Sequence, residues 1–483
     1  MDFAIELKQT VARTESTRQI DSNKFKEDAD GLRDNHAIAI AEEYDVIVVG
    51  GGTTGPTAAI ASARNGAKTL LVEKNGYLGG AMLGGAVCFM GFYNIYYPDC
   101  EPVQLIRGIP DELVKRLVAA GGSTGFYDEM HDPTYESKGV HWDRDVLPKV
   151  MLEMTEEAGV TVQLNTVVED VTKEGSSITG VLLRKSSGER FYVKAKMFVD
   201  TTGVADLAYQ SGAKCTQIKE RQTGGMAFGL TNLDLEKARE FTQKRGAMHF
   251  LSYGKSCFEE EDHITRFGFQ VEKLEEFAPY REEYCLCGGQ CMVSNEKNKL
   301  NMINAVSMHF DTLDPVEVEK ARIKLTQCCL KYAELYQKFV PGFEDSYIDW
   351  ISPNVGIRFG RLVECEHSIT LEEVNQLVVP EDSIGVYGVQ DAHAWNYKIR
   401  GGWYGIPYRA LVPIGVDNLL VAGEMVTSDW VVWMSTRLTG GCLIMGQAAG
   451  TAAAMAAKLG VGTRELDVQA LREQLRNDNV FLG

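Results

Sequence analysis

Hydrophobic positions first form a clear pattern at Tyr44. Residues 45–49 (DVIVV) are a short apolar run rich in β-branched side chains, which predicts a buried parallel strand. The alanine-rich residues 56–65 predict a helix that has a proline in its first turn and stops at Gly66. Residues 68–73 (KTLLVE) predict a second strand. The three segments together indicate a βαβ unit.

Further along the chain, helical periodicity alternates with short β-rich runs. Apolar residues recur at helical spacing in 107–121 and 145–159, and residues 122–143 between them are read as a loop. The β-rich runs that follow are separated by polar turns, so they predict a small antiparallel meander and then a strand at 197–200. The runs of the meander are 161–164, 167–172, 179–184 and 191–194.

Residues 216–404 differ in sequence pattern from the segments before them, because long charged helices are predicted at 233–245 and 315–337. An apolar strand predicted at 418–424 and an alanine-rich helix predicted at 442–459 then have the same sequence character as the strand and helix of the βαβ unit. The pattern predicts an α/β protein in which a Rossmann-like, discontinuous nucleotide-binding domain carries an inserted α+β substrate domain. The predicted boundaries are 1–43 for an N-terminal arm, 44–215 and 405–483 for the nucleotide-binding domain, and 216–404 for the inserted domain.

Three glycines between the first strand and the helix carry the clearest chemical signal. Gly50, Gly52 and Gly55 match the G-x-G-x-x-G pattern. In that pattern the first glycine permits a tight turn, the second lets the backbone approach a pyrophosphate, and the third lets the helix pack on the strand. The helix N-terminus adds free N–H groups for the anion, and Glu73 ends the second strand, where it can accept hydrogen bonds from ribose hydroxyls. A chance glycine turn is the alternative, but the strands, helix and acid in register favour a dinucleotide site.

Three further features favour FAD over NAD. Gly79 and Gly80 lie just beyond the second strand, where flavoproteins let the backbone pass the ribityl chain and the ring. Residues 198–203 (FVDTTG) and 419–424 (LLVAGE) resemble two FAD-contacting elements of flavoproteins with two dinucleotide-binding domains. The sequence has no second G-x-G-x-x-G, so a separate NAD(P) domain is not expected. The residues expected to bind FAD are Gly50, Gly52, Thr54, Gly55, Glu73, Lys74, Gly80, Val168, Thr202, Gly203, Asp206, Gly423, Glu424, Gly441 and Cys442.

The order of these elements resembles the FAD-dependent oxidoreductases related to the succinate dehydrogenase and fumarate reductase flavoproteins, over residues 44–480. The resemblance implies a glutathione-reductase-like FAD fold with the cofactor bound non-covalently or occasionally covalently. Two positions depart from the family pattern. Residues 203–206 (GVAD) replace the usual Gly-Asp-Gly-Asp, and Glu424 stands where Arg or Asp is common. The matching stretches are 198–213, 341–343, 356–361, 404–409 and 446–451.

The alanine-rich helix has a second expected role. In the resembled family, a helix that begins at the position of Gly440 to Cys442 points its N-terminus at the flavin. Its positive end stabilises the negative charge that reduced flavin carries near N1 and the C2 carbonyl. An ordinary packing helix is the alternative, and the two roles are compatible.

The catalytic candidates lie between residues 355 and 437. His393 is an acid or base suited to neutral pH, and Tyr404 precedes a turn that leads into the FAD strand. Arg437, just before the alanine-rich helix, is the preferred arginine for a substrate anion or for proton delivery. Arg358 and Arg361 are three residues apart, which brings them to one face of a helix and suits a bidentate grip on a carboxylate. Structural hydrogen bonds or salt bridges are the alternative roles.

Composition narrows the class of partner. The chain has 483 residues, 45% of them hydrophobic and 24% charged, which excludes disordered, collagen-like and coiled-coil proteins. Its 49 basic and 67 acidic side chains give a formal charge of −18, which disfavours nucleic acids and membrane surfaces as partners. A small-molecule substrate is expected, and a homo-oligomer or an electron-transfer partner stays open. We see neither a signal peptide nor an apolar run of the ~18 residues that a membrane helix needs, so a cytoplasmic location is expected.

The 11 cysteines lack the regular spacing of a disulfide framework, which indicates a reducing compartment. Cys285, Cys287 and Cys291 form one dense group, and Cys328 with Cys329 is the only further source of ligands that we consider. The Cys-x2-Cys spacing typical of metal and iron–sulfur sites is absent from the dense group, so we expect buried free thiols and no metal.

The sequence therefore predicts an FAD-dependent oxidoreductase that transfers a hydride between flavin N5 and a small polar organic molecule. One alternative is an electron-transfer subunit that relays electrons to a partner protein, with residues 216–404 as its docking surface. A weaker alternative is a flavin fold whose nucleotide is structural. The substrate and the direction of the reaction are not readable from the sequence.

Overall fold

The structure is a computed structural model. It describes residues 39–40, 43–83, 89–94, 100–132, 135–219, 222–254, 261–286, 291–293, 297–388 and 401–483.

The first sheet is built around the strand Tyr44–Val49, which has a parallel neighbour on each side. Val46, Ile47 and Val48 are fully buried, which explains why this strand is a continuous apolar run and not an alternating one. The predicted βαβ unit is confirmed, and the fold is mixed α/β with a parallel sheet. From one edge to the other, the parallel strands are Thr161–Gln163, Thr69–Val72, Tyr44–Val49, the end of Arg190–Asp200, and Leu419–Val421.

Helices pack closely around this sheet. The alanine-rich helix Thr439–Leu459 lies so near to Gly55–Arg64 that a Cβ atom on Gly450 would sit 1.9 Å from the carbonyl oxygen of Ala58. Small residues on both helices are therefore a packing requirement. The other helices of the first core region are Ile109–Ala119, Val146–Glu157, Asp206–Gln210, Leu371–Asn375, Trp430–Thr436 and Val468–Asn477, with short 3-10 turns at Gly80–Met82 and Tyr408–Leu411.

Among the described residues, Thr439–Leu459 is the one helix long and apolar enough to cross a membrane, but 83% of its most apolar window is buried inside the molecule. The expectation that no apolar run reaches such a length was too strict, because alanine and glycine make this helix apolar without large side chains.

The strand Arg190–Asp200 corrects the predicted meander. Its first half pairs antiparallel with Ser177–Lys185, which in turn pairs with Thr166–Glu174, and its second half joins the parallel sheet. The predicted runs at 191–194 and 197–200 are thus one strand. The run at 161–164 is not part of the meander, because Thr161–Gln163 is a parallel edge strand.

A second sheet has its own hydrophobic core. Phe228, Phe267 and Met302 from the strands pack with Leu325 and Tyr332 of the long helix Pro315–Phe339. The strands of this sheet, in spatial order, are Met248–Gly254, His263–Phe269, Cys291–Val293, Lys299–His309, Thr223–Thr231 and Tyr347–Ile351, with Gly356–Ile357 also paired to Thr223–Thr231. The helix Leu235–Lys244 and the 3-10 turns Val271–Lys273 and Glu275–Tyr280 complete this region.

The predicted loop at 122–143 was wrong. The strands Phe126–Asp132 and Tyr135–His141 form a hairpin that pairs with Phe89–Gly91. These strands carry charged and polar residues in series, so they lack the apolar alternation that identifies a strand. The remaining short pairs are Ala39–Ile40 with the start of Arg190–Asp200, Cys215–Thr216 with Leu362–Val363, and Ser383–Tyr387 with Tyr404–Pro407.

Candidate functional site

The glycine loop is closed by direct backbone packing. A Cβ atom on Gly55 would lie 1.7 Å from the carbonyl oxygen of Gly50, so the helix approaches the strand at a distance that only glycine permits. The hydroxyl of Thr201 donates to the carbonyl oxygens of Val49 and Gly50 at 2.9 and 2.7 Å. The loop is therefore held rigidly from the neighbouring strand.

Gly52 faces open space. A Cβ atom built there would meet only the Cα atom of Gly80, at 4.0 Å, whereas a Cβ on Gly80 would lie 2.7 Å from the Cα of Gly52. The two glycines thus form a shallow cradle at the N-terminal end of Gly55–Arg64, where free N–H groups and the helix dipole favour an anion. The arrangement fits the pyrophosphate of a dinucleotide.

Glu73 is held in place by the protein backbone. It is buried, and its carboxylate accepts hydrogen bonds from the N–H of Gly51 at 2.6 Å and from the N–H and side-chain amide of Asn75 at 2.7 and 2.6 Å. Each carboxylate oxygen has two lone pairs, so these contacts leave acceptor capacity for ribose hydroxyls.

A buried carboxylate shapes the turn after Arg190–Asp200. Asp200 accepts hydrogen bonds from the N–H and hydroxyl of Thr202 at 2.9 and 2.8 Å, and from the N–H of Ala208 at 2.7 Å. Thr202 in turn accepts from the N–H of Asp206 at 2.9 Å. Complete burial raises the pKa of Asp200 to about 6, against the opposing effect of these donors. Asp200 was not among the predicted site residues, although it organises the turn that contains three of them, Thr202, Gly203 and Asp206.

Arg361 holds the same turn from outside. Its guanidinium donates to the carbonyl oxygen of Val204 at 2.9 Å and to the carboxylate of Asp206 at 3.0 Å, and it lies 4.3 Å from the centre of the Tyr209 ring. The helical premise for Arg358 and Arg361 was wrong, because short strands, Gly356–Ile357 and Leu362–Val363, flank an extended segment here. The two arginines are therefore not paired by a helical turn.

Several predicted residues meet beside the alanine-rich helix. A Cβ on Gly423 would lie 2.9 Å from the hydroxyl of Thr54, and a Cβ on Gly203 would lie 3.2 Å from the carboxylate of Glu424. Burial raises the pKa of Glu424 to about 7, and the nearby positive charge of Arg437 opposes that shift. The thiol of Cys442 hydrogen-bonds to Thr54 and is close to Glu424 and Arg437, and burial raises its pKa.

The N-terminus of Thr439–Leu459 opens onto this group. Leu438 caps the helix without a side-chain hydrogen bond, so the first N–H groups have no cap acceptor from that residue. Gly441 packs near the carbonyl oxygen of Thr436, where a Cβ would approach to 3.0 Å. The positive end of the helix and the predicted FAD residues therefore share one region.

The other candidates have different placements. Tyr404 is buried, and its hydroxyl is 2.8 Å from that of Ser435, so it supports the helix that precedes Arg437. His393 lies outside the described residues. Lys74 is exposed beside Glu73, and Val168 is partly buried in Thr166–Glu174 against the first core. The N–H of Arg358 donates to the carbonyl oxygen of Thr223 at 2.9 Å.

A contact between the two sheets beside Glu73 was not predicted from the sequence. The side-chain amide of Asn354 donates to Asn75 at 3.1 Å and to the hydroxyl of Tyr77 at 2.5 Å. Arg144 stacks on the ring of Trp350 at 4.2 Å. Asn354 and Asn75 are 279 positions apart, so only the tertiary fold reveals this connection.

No group of three His, Cys, Asp or Glu side chains within the described ranges is arranged to hold a metal ion. The side chains of Cys287 and Cys291 lie outside the described residues, so the dense cysteine group is not tested as a whole.

The parallel sheet, the glycine cradle and the buried acid define a dinucleotide-binding α/β protein. The chain belongs to the FAD dependent oxidoreductase family, whose model matches residues 45–475. The protein is thus an FAD-dependent enzyme, and the expected cofactor and enzyme class are confirmed.

Individual relatives are similar over part of their length. The digeranylgeranylglycerophospholipid reductase of Methanocaldococcus jannaschii is 25% identical over 204 residues, 40% of this chain and 46% of the reductase. The thiamine thiazole synthase of Methanococcus vannielii is 29% identical over 168 residues, 33% of this chain and 56% of the synthase. The chain thus matches about half the length of these relatives. A solved geranylgeranyl bacteriochlorophyll reductase-like protein from Thermoplasma acidophilum has a TM-score of 0.47 at 14% identity, over 91% of this chain and 84% of that chain.

Proposed function

We propose that the protein transfers two electrons, as a hydride, between FAD and a small polar organic substrate. Bound FAD would supply the hydride donor or acceptor at flavin N5. The observation that supports the proposal is that Glu424 and Arg437 both contact Trp433 near the N-terminal end of Thr439–Leu459. The indole N–H of Trp433 donates to the carbonyl oxygen of Glu424 at 2.8 Å, and the guanidinium of Arg437 lies over the Trp433 ring. Both residues are next to the expected path of the cofactor, because the Glu424 carboxylate faces Gly203 and Arg437 directly precedes the alanine-rich helix.

Arg437 is the group that orients the substrate in this proposal. Its guanidinium lies over the face of Trp433 at 4.9 Å, and a planar cation held in this way suits an anionic or hydroxylated substrate group. Glu424, with a pKa of about 7, exchanges a proton near neutral pH. Arg358 stays a second candidate for the substrate anion. Arg361 and Tyr404 already have structural partners, so we assign them supporting roles.

The test is anaerobic photoreduction of the purified flavoprotein, followed by reoxidation with a panel of small polar acceptors. We expect one acceptor class to reoxidise the wild-type flavin and Arg437→Met to slow that step about tenfold or more while FAD stays bound. Arg409→Met is the matched control, because Arg409 pairs with Asp382 at the surface. Reoxidation by a protein partner alone, with no small acceptor active, would favour the electron-transfer subunit instead.

The finer predictions from the sequence belong to the same proposal. They are the relation to the succinate dehydrogenase and fumarate reductase flavoproteins, the inserted substrate domain at 216–404, and a cytoplasmic protein without nucleic-acid or membrane partners. The sheet that includes Thr223–Thr231 and Gly356–Ile357 has a hydrophobic core of its own, which supports the proposal of an inserted domain.

A further inference from the structure

One cysteine of the dense sequence group, Cys285, lies against the helix Pro315–Phe339. Lys324, Cys328 and Lys331 are spaced by four and three residues, so they share one face of that helix. The ring of Tyr284 lies 5.4 Å from Nζ of Lys324 and 5.8 Å from Nζ of Lys331. The segment that contains Cys285 therefore crosses the helix face at the level of Cys328.

The two thiols are direct neighbours. A hydrogen bond joins the side chains of Cys285 and Cys328. Cys328 is fully buried, whereas Cys285 is half-buried and both are free thiols. The hydrogen bond from Cys328 and the positive charge of Lys324 lower the pKa of Cys285 in spite of partial burial. Cys285 is thus the more reactive and the more accessible partner.

The backbone fixes this pairing. The carbonyl oxygen of Cys285 accepts a hydrogen bond from the N–H of Ser307 at 3.1 Å, and Leu286 forms a β-bridge with Val306. Cys285 itself has a left-handed backbone, with φ of 53°. The backbone hydrogen bond and the β-bridge therefore hold Cys285 in a turn against the helix Pro315–Phe339.

We propose that Cys285 and Cys328 form a reversible thiol–disulfide modification site that reacts with small-molecule disulfides. The thiolate of Cys285 attacks one sulfur of the soluble disulfide, a mixed disulfide forms, and the other half leaves as a thiolate that takes up a proton. Cys328 then loses its proton to solvent and attacks the sulfur of Cys285, which releases the second thiol. Two protein thiols are oxidised and one soluble disulfide is reduced to two thiols, so atoms and electrons balance.

The test treats the full-length, FAD-loaded protein with oxidised glutathione and maps its cysteines by peptide mass spectrometry without reduction. We expect a Cys285–Cys328 crosslink that dithiothreitol reverses. Cys285→Ser should abolish the reaction at this site, and Cys328→Ser should leave a stable glutathione adduct on Cys285. Cys329→Ser is the matched control, because Cys329 is equally buried on the same helix and should leave the crosslink intact.

Flavin absorbance and circular dichroism of each variant establish that it is folded. A wild-type protein that keeps the glutathione adduct on Cys285, links Cys285 to another cysteine, or does not react at either position would overturn the proposal.

Discussion

Asp200 and Glu424 are two acidic residues whose pKa values are raised toward neutrality by burial. The carboxylate of Asp200 accepts hydrogen bonds from backbone N–H groups inside the turn, whereas the carboxylate of Glu424 faces Gly203 and is near Arg437 in the cofactor-binding region. Asp200 is therefore a structural acid, and Glu424 is an acid available to the cofactor.

Glu424→Gln should flatten the pH dependence of stability of the FAD-free protein. The folded chain holds the proton of Glu424 up to about pH 7, while the unfolded chain releases it near 4.5. The stability tied to that proton is complete below about pH 4.5 and is lost as pH rises to about 7. Melting temperatures measured between pH 4 and 8 should therefore fall more steeply for wild type than for Glu424→Gln. Asp200 titrates in both proteins and so contributes equally to both slopes; equal slopes for wild type and variant between about pH 5 and 7 would contradict the raised pKa of Glu424.

Arg361→Met should destabilise the protein. The substitution removes the hydrogen bonds to the carbonyl oxygen of Val204 and to the carboxylate of Asp206. Because the Arg361 side chain is only 14% exposed, we expect the free energy of unfolding to fall by about 1.5–3 kcal/mol. Arg409→Met removes the guanidinium of a side chain that is 54% exposed and should cost about 0–1 kcal/mol. Urea unfolding of both variants makes the comparison. If Arg361→Met unfolds like wild type but weakens substrate binding, the substrate-anion role expected from the sequence would be restored.

At the scale of the element, Arg190–Asp200 joins the antiparallel meander to the parallel sheet within one strand. The charged residues Lys194 and Lys196 interrupt its apolar pattern where the pairing changes partner, which is why the sequence divides it in two. The glycine loop, Glu73 and the strand at 419–421 were predictable because each has a local signal. Asn354 and Trp350 were not, because their partners are distant in the chain and no motif marks them.

The cross-sheet contact leads to a prediction for Asn354→Ala. The side chain of Asn354 donates a hydrogen bond to Asn75, and Asn75 donates two hydrogen bonds to Glu73. Loss of the Asn354 amide should therefore make the position of Glu73, the acid expected to bind ribose, less well defined. One or two hydrogen bonds correspond to about 1–2 kcal/mol, or about 5- to 30-fold weaker FAD binding.

Titration of FAD-free protein followed by flavin fluorescence measures this effect. Gln337→Ala, which removes a side-chain amide bond to Ser346 within the second sheet region, is the control and should bind FAD as wild type does. Equal affinity for Asn354→Ala and wild type would show that the contact does not support the cofactor.

In the whole molecule, the described residues form two large hydrophobic cores. The first core surrounds the glycine loop and the alanine-rich helix, and the second lies under the sheet between Thr223 and Ile357. FAD binding is therefore encoded in short, local motifs of the first region. If the second region is the proposed substrate domain, substrate identity would depend on its shape. Local motifs are readable from one sequence, and shape is not.

The central claim is that FAD binds along the cradle formed by Gly52 and Gly80. A Cβ on Gly52 meets no protein atom closer than 4.0 Å, so Gly52→Val should fold normally and exclude the cofactor by occupying its space. Gly254→Ala is the control, because its Cβ would make ordinary contact with Thr265 at 3.5 Å, far along the second sheet. The decisive measurement is the FAD content of the purified proteins, determined from their flavin absorbance. The account predicts about one FAD per chain for wild type and Gly254→Ala and almost none for folded Gly52→Val; a folded Gly52→Val protein with full FAD content would contradict it.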